Sequence, residues 1–155
     1  MVKNVFKKLG KKQKNNKGFS LVELIVVIAI MAVLVGVLAP QLIKYVEKSR
    51  EATDIQTCDN IATALKTYYA DEEVAASASA TATTVTVTLG KTELGTVADT
   101  AVKDAGLTKA KIKGTKWTDD KITIVYDKAD GTITYTGDSP YYHSDKDQFK
   151  KGPKS

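Results

Sequence analysis

Few residues in this chain have the types and spacing that catalysis needs. His143 is the only histidine and Cys58 the only cysteine, and they lie far apart in sequence. Serines and acids are plentiful, but without a paired base they form no nucleophilic triad, and no glycine loop of the phosphate-cradling kind is present. Asp127 and Asp130 flank a turn, yet Ala129 breaks the alternation of acids that a calcium loop requires. Asp138, Asp145 and Asp147 follow with no diagnostic spacing. Neither cofactor nor metal is expected, and the chain is not expected to be an enzyme. The chemically conspicuous residue is Glu23. It sits at the start of the longest apolar run, with no cation nearby on the apolar side to pair with it. Held near a bilayer centre, a carboxylate costs about 2.5–3.5 kcal/mol.

The charge pattern around Glu23 is lopsided. Seven lysines (Lys3, Lys7, Lys8, Lys11, Lys12, Lys14 and Lys17) precede Gly18, and no acid does. Of the 23 basic residues, 16 lie beyond Gly18, against all 18 acidic ones, so the net charge of +5 belongs to the first 18 residues. Total charge is therefore no argument for a nucleic-acid partner. A single cysteine excludes an intrachain disulfide, so stability must come from packing or from neighbouring subunits.

From Phe19 to Ala39 run 21 residues in which Glu23 is the only charge. As a helix they would span about 32 Å, the thickness of a bilayer's hydrocarbon core. The lysine flank should stay cytoplasmic. A cleaved signal peptide fits the charged start, but no good small-x-small site follows and Pro40 comes next. An ordinary membrane anchor explains the length and leaves Glu23 unexplained.

The stretch Lys17-Gly18-Phe19-Ser20-Leu21-Val22-Glu23, with the unbroken apolar run and Pro40 behind it, resembles the processing motif of the type IV pilin family. The motif match covers residues 17–40 and the long helix extends it to about residue 73; beyond that the likeness is one of layout. The resemblance implies that a prepilin peptidase cuts between Gly18 and Phe19, and that the new amine of Phe19 is methylated by the peptidase/methyltransferase. It also implies that Glu23 serves subunit assembly, lying near the Phe19 amine of a neighbour. An ion pair in an apolar filament core is little screened, although desolvation offsets part of the gain, and its expected use is to set axial register. The implied partners are copies of the same chain in a helical filament, the pilus assembly machinery and, before assembly, the cytoplasmic membrane with the N-terminus inside. The assembled filament would lie on the cell surface, serving motility, adhesion or DNA uptake. A pseudopilin of a type II secretion or competence system shares every residue of the motif. A membrane-anchored binding module that keeps its leader is the alternative of another class, and an anchored enzyme stands behind it.

After Pro40 the pattern becomes one-sided. Leu42, Tyr45, Ser49, Ala52, Ile55, Cys58, Ala62, Leu65 and Tyr69, widened by Ile61 and Tyr68, predict a helical stripe over a core. Lys44, Glu47, Lys48, Arg50, Glu51, Asp54, Asp59 and Lys66 are expected on the solvent side. Pro40 has no N–H for the carbonyl of Gly36, so a kink is expected over Gly36 and Pro40. Cys58, on the stripe, is expected as a small buried hydrophobe.

The expected organisation is a basic leader 1–18, an assembly helix 19–40, its amphipathic continuation 41–74, an Ala/Ser/Thr-rich loop 75–84, an α+β domain 85–140 and a polar tail 141–155. The loop composition would also suit glycosylation. Within the domain, Val85–Leu89 alternates as a strand, and Glu93–Ala105 suggests a short helix with Leu94, Val97, Ala101 and Val102 inward. Lys111–Trp117 suggests another strand. Lys121–Tyr126 and Thr132–Thr136 predict a hairpin turning at Asp130-Gly131. The fold class is therefore α+β, a long N-terminal helix packed on a small antiparallel sheet. The tail mixes Tyr141, Tyr142, His143 and Phe149 with lysines; contact with nucleic acid is only weakly supported, and a solvated end partly docked through Tyr141 and Tyr142 is the plainer expectation.

Overall fold

The computed structural model describes residues 18–70, 83–95 and 98–154. Most of the leader, the loop over 75–82 and Val97 lie outside these residues. The helix α1 runs Leu21–Tyr69, but its two parts belong to separate compact units that meet at Gln41 and Leu42, so each is described by itself. In the first unit the apolar residues from Leu21 to Leu38 are exposed on every side of the helix. By length and composition this segment is enough to cross a membrane.

The second unit has the expected α+β architecture. A three-stranded antiparallel sheet has the order β1 (Thr84–Leu89), β2 (Ile122–Asp127), β3 (Ile133–Thr136). Its register pairs Val85 with Tyr126, Val87 with Ile124, Leu89 with Ile122, and Ile124 with Tyr135. Because side chains alternate across a strand, that register places every one of these groups on one face. They form the core with Cys58, Ile61, Ala62 and Leu65 of α1. The β2–β3 turn is built as the Asp130-Gly131 signal demands. Gly131 takes a positive φ of 72°, and Asp130 Oδ1 accepts from the backbone N–H and hydroxyl of Thr132.

Four expectations need correction. The segment 93–105 supplies only a short helix, α2 (Thr100–Asp104), capped by Asp99, with Ala101 and Val102 buried. Residues 141–154 dock through Tyr141 and Tyr142 as expected, but the rest is not a solvated end. They fold into a second sheet, β4 (Tyr142–Asp145) with β5 (Gln148–Lys151), and Phe149 packs its ring against Tyr135 and Trp117. Lys111–Trp117 is not a strand, and the reason lies on α1.

The buried side of α1 begins with acids. Glu47, Glu51 and Asp54 are buried, whereas Leu42 and Tyr45 are exposed, the reverse of the expectation for this part of the helix. From Cys58 onward the expected stripe holds. The carboxylates are buried because polar hydrogens meet them. Asp54 accepts from the backbone N–H groups of Lys113 and Gly114, both at 2.7 Å, and from Trp117 Nε1 at 2.9 Å. Glu47 accepts from the Thr115 N–H. Glu51 accepts from Ser139 Oγ at 2.5 Å, and that hydroxyl in turn accepts from the N–H groups of Tyr141 and Tyr142. The donors of 113–115 are thus spent on α1 and are not available to a strand ladder.

Glu51 Oε1 is buried without a hydrogen-bond partner among the described residues. Burial pushes the Glu51 carboxyl above its ordinary value, against the Ser139 bond; Glu47 and Asp54 push it further, and Lys116 opposes them. A raised folded-state value means that the folded chain keeps a proton the unfolded chain has lost. Stability from this group is therefore complete below the ordinary value near 4.5 and is lost as pH rises through the raised value. Glu51→Gln, which stays neutral, should gain stability over the natural chain at pH 7 and lose that advantage near pH 4.5. Urea midpoints of the full chain in detergent at both pH values test this; a pH-independent difference would rule it out.

Candidate processing and assembly site

Helix α1 begins at Leu21, and Gly18, Phe19 and Ser20 lie outside it and are exposed. Phe19 is 89% exposed, and a Cβ at Gly18 would meet nothing within 4 Å. The peptide bond between Gly18 and Phe19 is thus free of helical hydrogen bonding and open to an enzyme.

Glu23 has a local partner that its place in the sequence also signals. The Ser20 backbone N–H donates to Glu23 Oε2 at 2.9 Å. In the other direction, the Val22 N–H donates to Ser20 Oγ at 3.4 Å, and the Leu24 N–H closes the first turn on the Ser20 carbonyl at 3.1 Å. This is a capping box: serine and glutamate three residues apart satisfy backbone donors at a helix start. The anion also sits at the positive end of the helix dipole. Sequence reasoning focused on the assembly role of Glu23 and missed this one, although Ser-x-x-Glu before an apolar run is its ordinary signature.

The two weak helix formers stay in the helix. Gly36 and Pro40 both lie within α1, and a Cβ at Gly36 would meet nothing within 4 Å, so no group of this chain requires the glycine there. The other candidate residues take structural positions. Cys58 is fully buried, and burial raises its thiol far above the ordinary value, away from thiolate chemistry. Asp127 Oδ1 accepts from the Ala129 N–H. His143 Nδ1 lies 2.8 Å from the Gly152 carbonyl. Among the described residues no group of three or more potential ligands is placed to hold a metal.

The N-terminal segment thus combines an exposed Gly18–Phe19 stretch, a capped helix start and an apolar helix exposed on every side. Residues 13–39 match the family model described as the prokaryotic N-terminal methylation motif. The chain is also similar to prepilin peptidase-dependent protein A of Clostridium perfringens, 39% identical over 71 residues, which is 44% of this chain and 50% of that protein. The chain therefore spans about half the length of the curated relative it matches. No solved structure matches. The likeness drawn from residues 17–40 thus holds for the N-terminal segment, which matches the methylation motif.

Proposed function

We propose that the chain is the precursor of a type IV pilus subunit, cut after Gly18 by a prepilin peptidase, methylated at Phe19 and polymerised into a surface filament. The observation that carries this reading is the match over residues 13–39 joined to an apolar helix whose side chains this chain leaves uncovered. A bilayer covers that surface before assembly, and copies of the same helix cover it afterwards. The subunit's role is structural: the chemistry at Gly18 and Phe19 is done to it by another protein. In the precursor Glu23 caps its own helix. Once the cut exposes the Phe19 amine, the carboxylate gains a cationic partner on a neighbouring subunit and sets register.

The test is the intact mass and N-terminal sequence of protein sheared from cell surfaces. A chain beginning at Phe19 with one added methyl supports the reading; a chain beginning at Met1 and confined to membranes overturns it. Glu23→Ala should still be cleaved but enter filaments poorly. Filaments at normal abundance would end the register role. The same N-terminus would serve a pseudopilin, and loss of secretion without loss of surface filaments in a deletion strain would favour that assignment.

A further inference from the structure

Two surfaces of the second unit are left uncovered, and they complement each other. The first is a ridge at the start of this part of α1. Leu42 and Tyr45 are 63% and 68% exposed, with Val46 also exposed beside them. Lys48 borders it one turn beyond Tyr45 and makes no ion pair among the described residues. The second is a groove of about 520 Å³ between α1 and α2. Its α1 side is formed by Asn60, Thr63, Ala64 and Thr67, and its α2 side includes the small residues Ala101 and Ala105 and the acid Asp104. Asp104 likewise has no ion pair among the described residues.

The four α1 residues of the groove stand at i, i+3, i+4 and i+7, the spacing of a hole that accepts one side chain from a facing helix. Leu42, Tyr45 and Val46 repeat on the same side of the helix as Asn60, Thr63 and Ala64. The separation is 18 residues in each case, five turns at 3.6 residues per turn, or about 27 Å. Within one chain the ridge cannot reach the groove.

We propose that the groove receives the Tyr45 ridge of a second copy of this chain, with α1 helices side by side and shifted by five turns. Lys48 then faces Asp104, which adds charge complementarity to the apolar fit. The contact is heterologous: ridge meets groove, and a pair keeps one free ridge on one copy and one free groove on the other, so association does not stop at a pair. The proposal rests on the filament reading and gives it a specific contact outside the apolar segment.

Disulfide trapping tests it on the full chain in its own membranes and filaments. The natural Cys58 is fully buried, and a disulfide needs Cα atoms within about 7 Å. Tyr45→Cys combined with Thr63→Cys can therefore bridge only between copies. Mild oxidation should give a ladder of dimers, trimers and longer species. Tyr45→Cys with Thr86→Cys, the latter exposed on the outer face of β1, should give none. As a second variant, Ala64→Trp fills the hole and should lower incorporation at least tenfold while the unassembled chain keeps its urea midpoint.

No ladder, with surface filaments of the unsubstituted chain present, overturns the contact and leaves the filament reading standing. No ladder, with the thiol of the single variant Tyr45→Cys labelled by a water-soluble maleimide in detergent but not in lipid vesicles, assigns the ridge to the membrane surface and also overturns it. A ladder in membranes of cells that make no filament supports the contact and counts against the filament reading.

Discussion

Asp54→Ala is expected to destabilise the second unit by about 3–5 kcal/mol, since each buried donor left unsatisfied costs about 1–3 kcal/mol. The carboxylate holds two backbone N–H groups and the indole N–H of Trp117, and no other acceptor among the described residues is bonded to any of them. Part of the loss is recovered because the Lys113 N–H is only part-buried and can reach water. Asp54→Asn should fall between the two proteins, since its amide retains one acceptor oxygen but turns an NH2 group towards the remaining donors. Trp117 is 3% exposed in the folded chain, so its fluorescence in a urea titration of the full chain in detergent reads the change directly. A shift worth less than about 1 kcal/mol would mean that the loop is held by its apolar contacts and that the carboxylate is incidental.

Gly114→Ala should be costly for a reason unconnected with glycine's conformational freedom, since Gly114 does not take a positive φ. The added Cβ would lie 2.7 Å from Glu51 Cγ, 2.8 Å from Trp117 Nε1 and 2.9 Å from Asp54 Oδ2. These neighbours are buried and hydrogen-bonded, so relief requires the loop to lift away from α1 and loosen its bonds. Overpacking of this kind costs about 1–3 kcal/mol, occasionally more. The two substitutions act on one contact and should not add. With Asp54 already alanine, two of the three obstacles change: the oxygen is gone and the indole loses its acceptor. Gly114→Ala should then cost clearly less than in the natural chain. Equal costs in both backgrounds would show that the clash with Glu51 alone matters.

The same loop shows where periodicity misleads. Glu47, Glu51 and Asp54 follow helical spacing, and charges at that spacing on a surface helix ordinarily face water. Here Lys113, Gly114 and Thr115, distant in sequence, present N–H groups to Asp54 and Glu47, and Ser139 presents its hydroxyl to Glu51; a hydrogen-bonded carboxylate can be buried. Leu42 and Tyr45 show the converse, since apolar residues at core spacing stay uncovered where the sheet does not reach them. The second hairpin was hidden for a related reason. Tyr142 and Phe149 are spaced among charges and have no alternating run; Tyr142 joins the core and Phe149 packs against Tyr135 and Trp117 only once the chain has folded.

What the sequence determined by itself is what depends on neighbours along the chain. The apolar run and its basic flank need only composition, the Gly18–Phe19 motif only a local match, and the β2–β3 hairpin only alternation around Asp130-Gly131. The capping box of Ser20 and Glu23 is of the same kind and was legible, though passed over. The tertiary structure alone decided which side of α1 is buried near residues 47–54, why 113–117 is not a strand, and how the C-terminal residues dock. Each of these turns on a hydrogen bond or packing contact between residues far apart in sequence. Whether a polar group can leave water depends on the partner that meets it, and that partner is set by the fold.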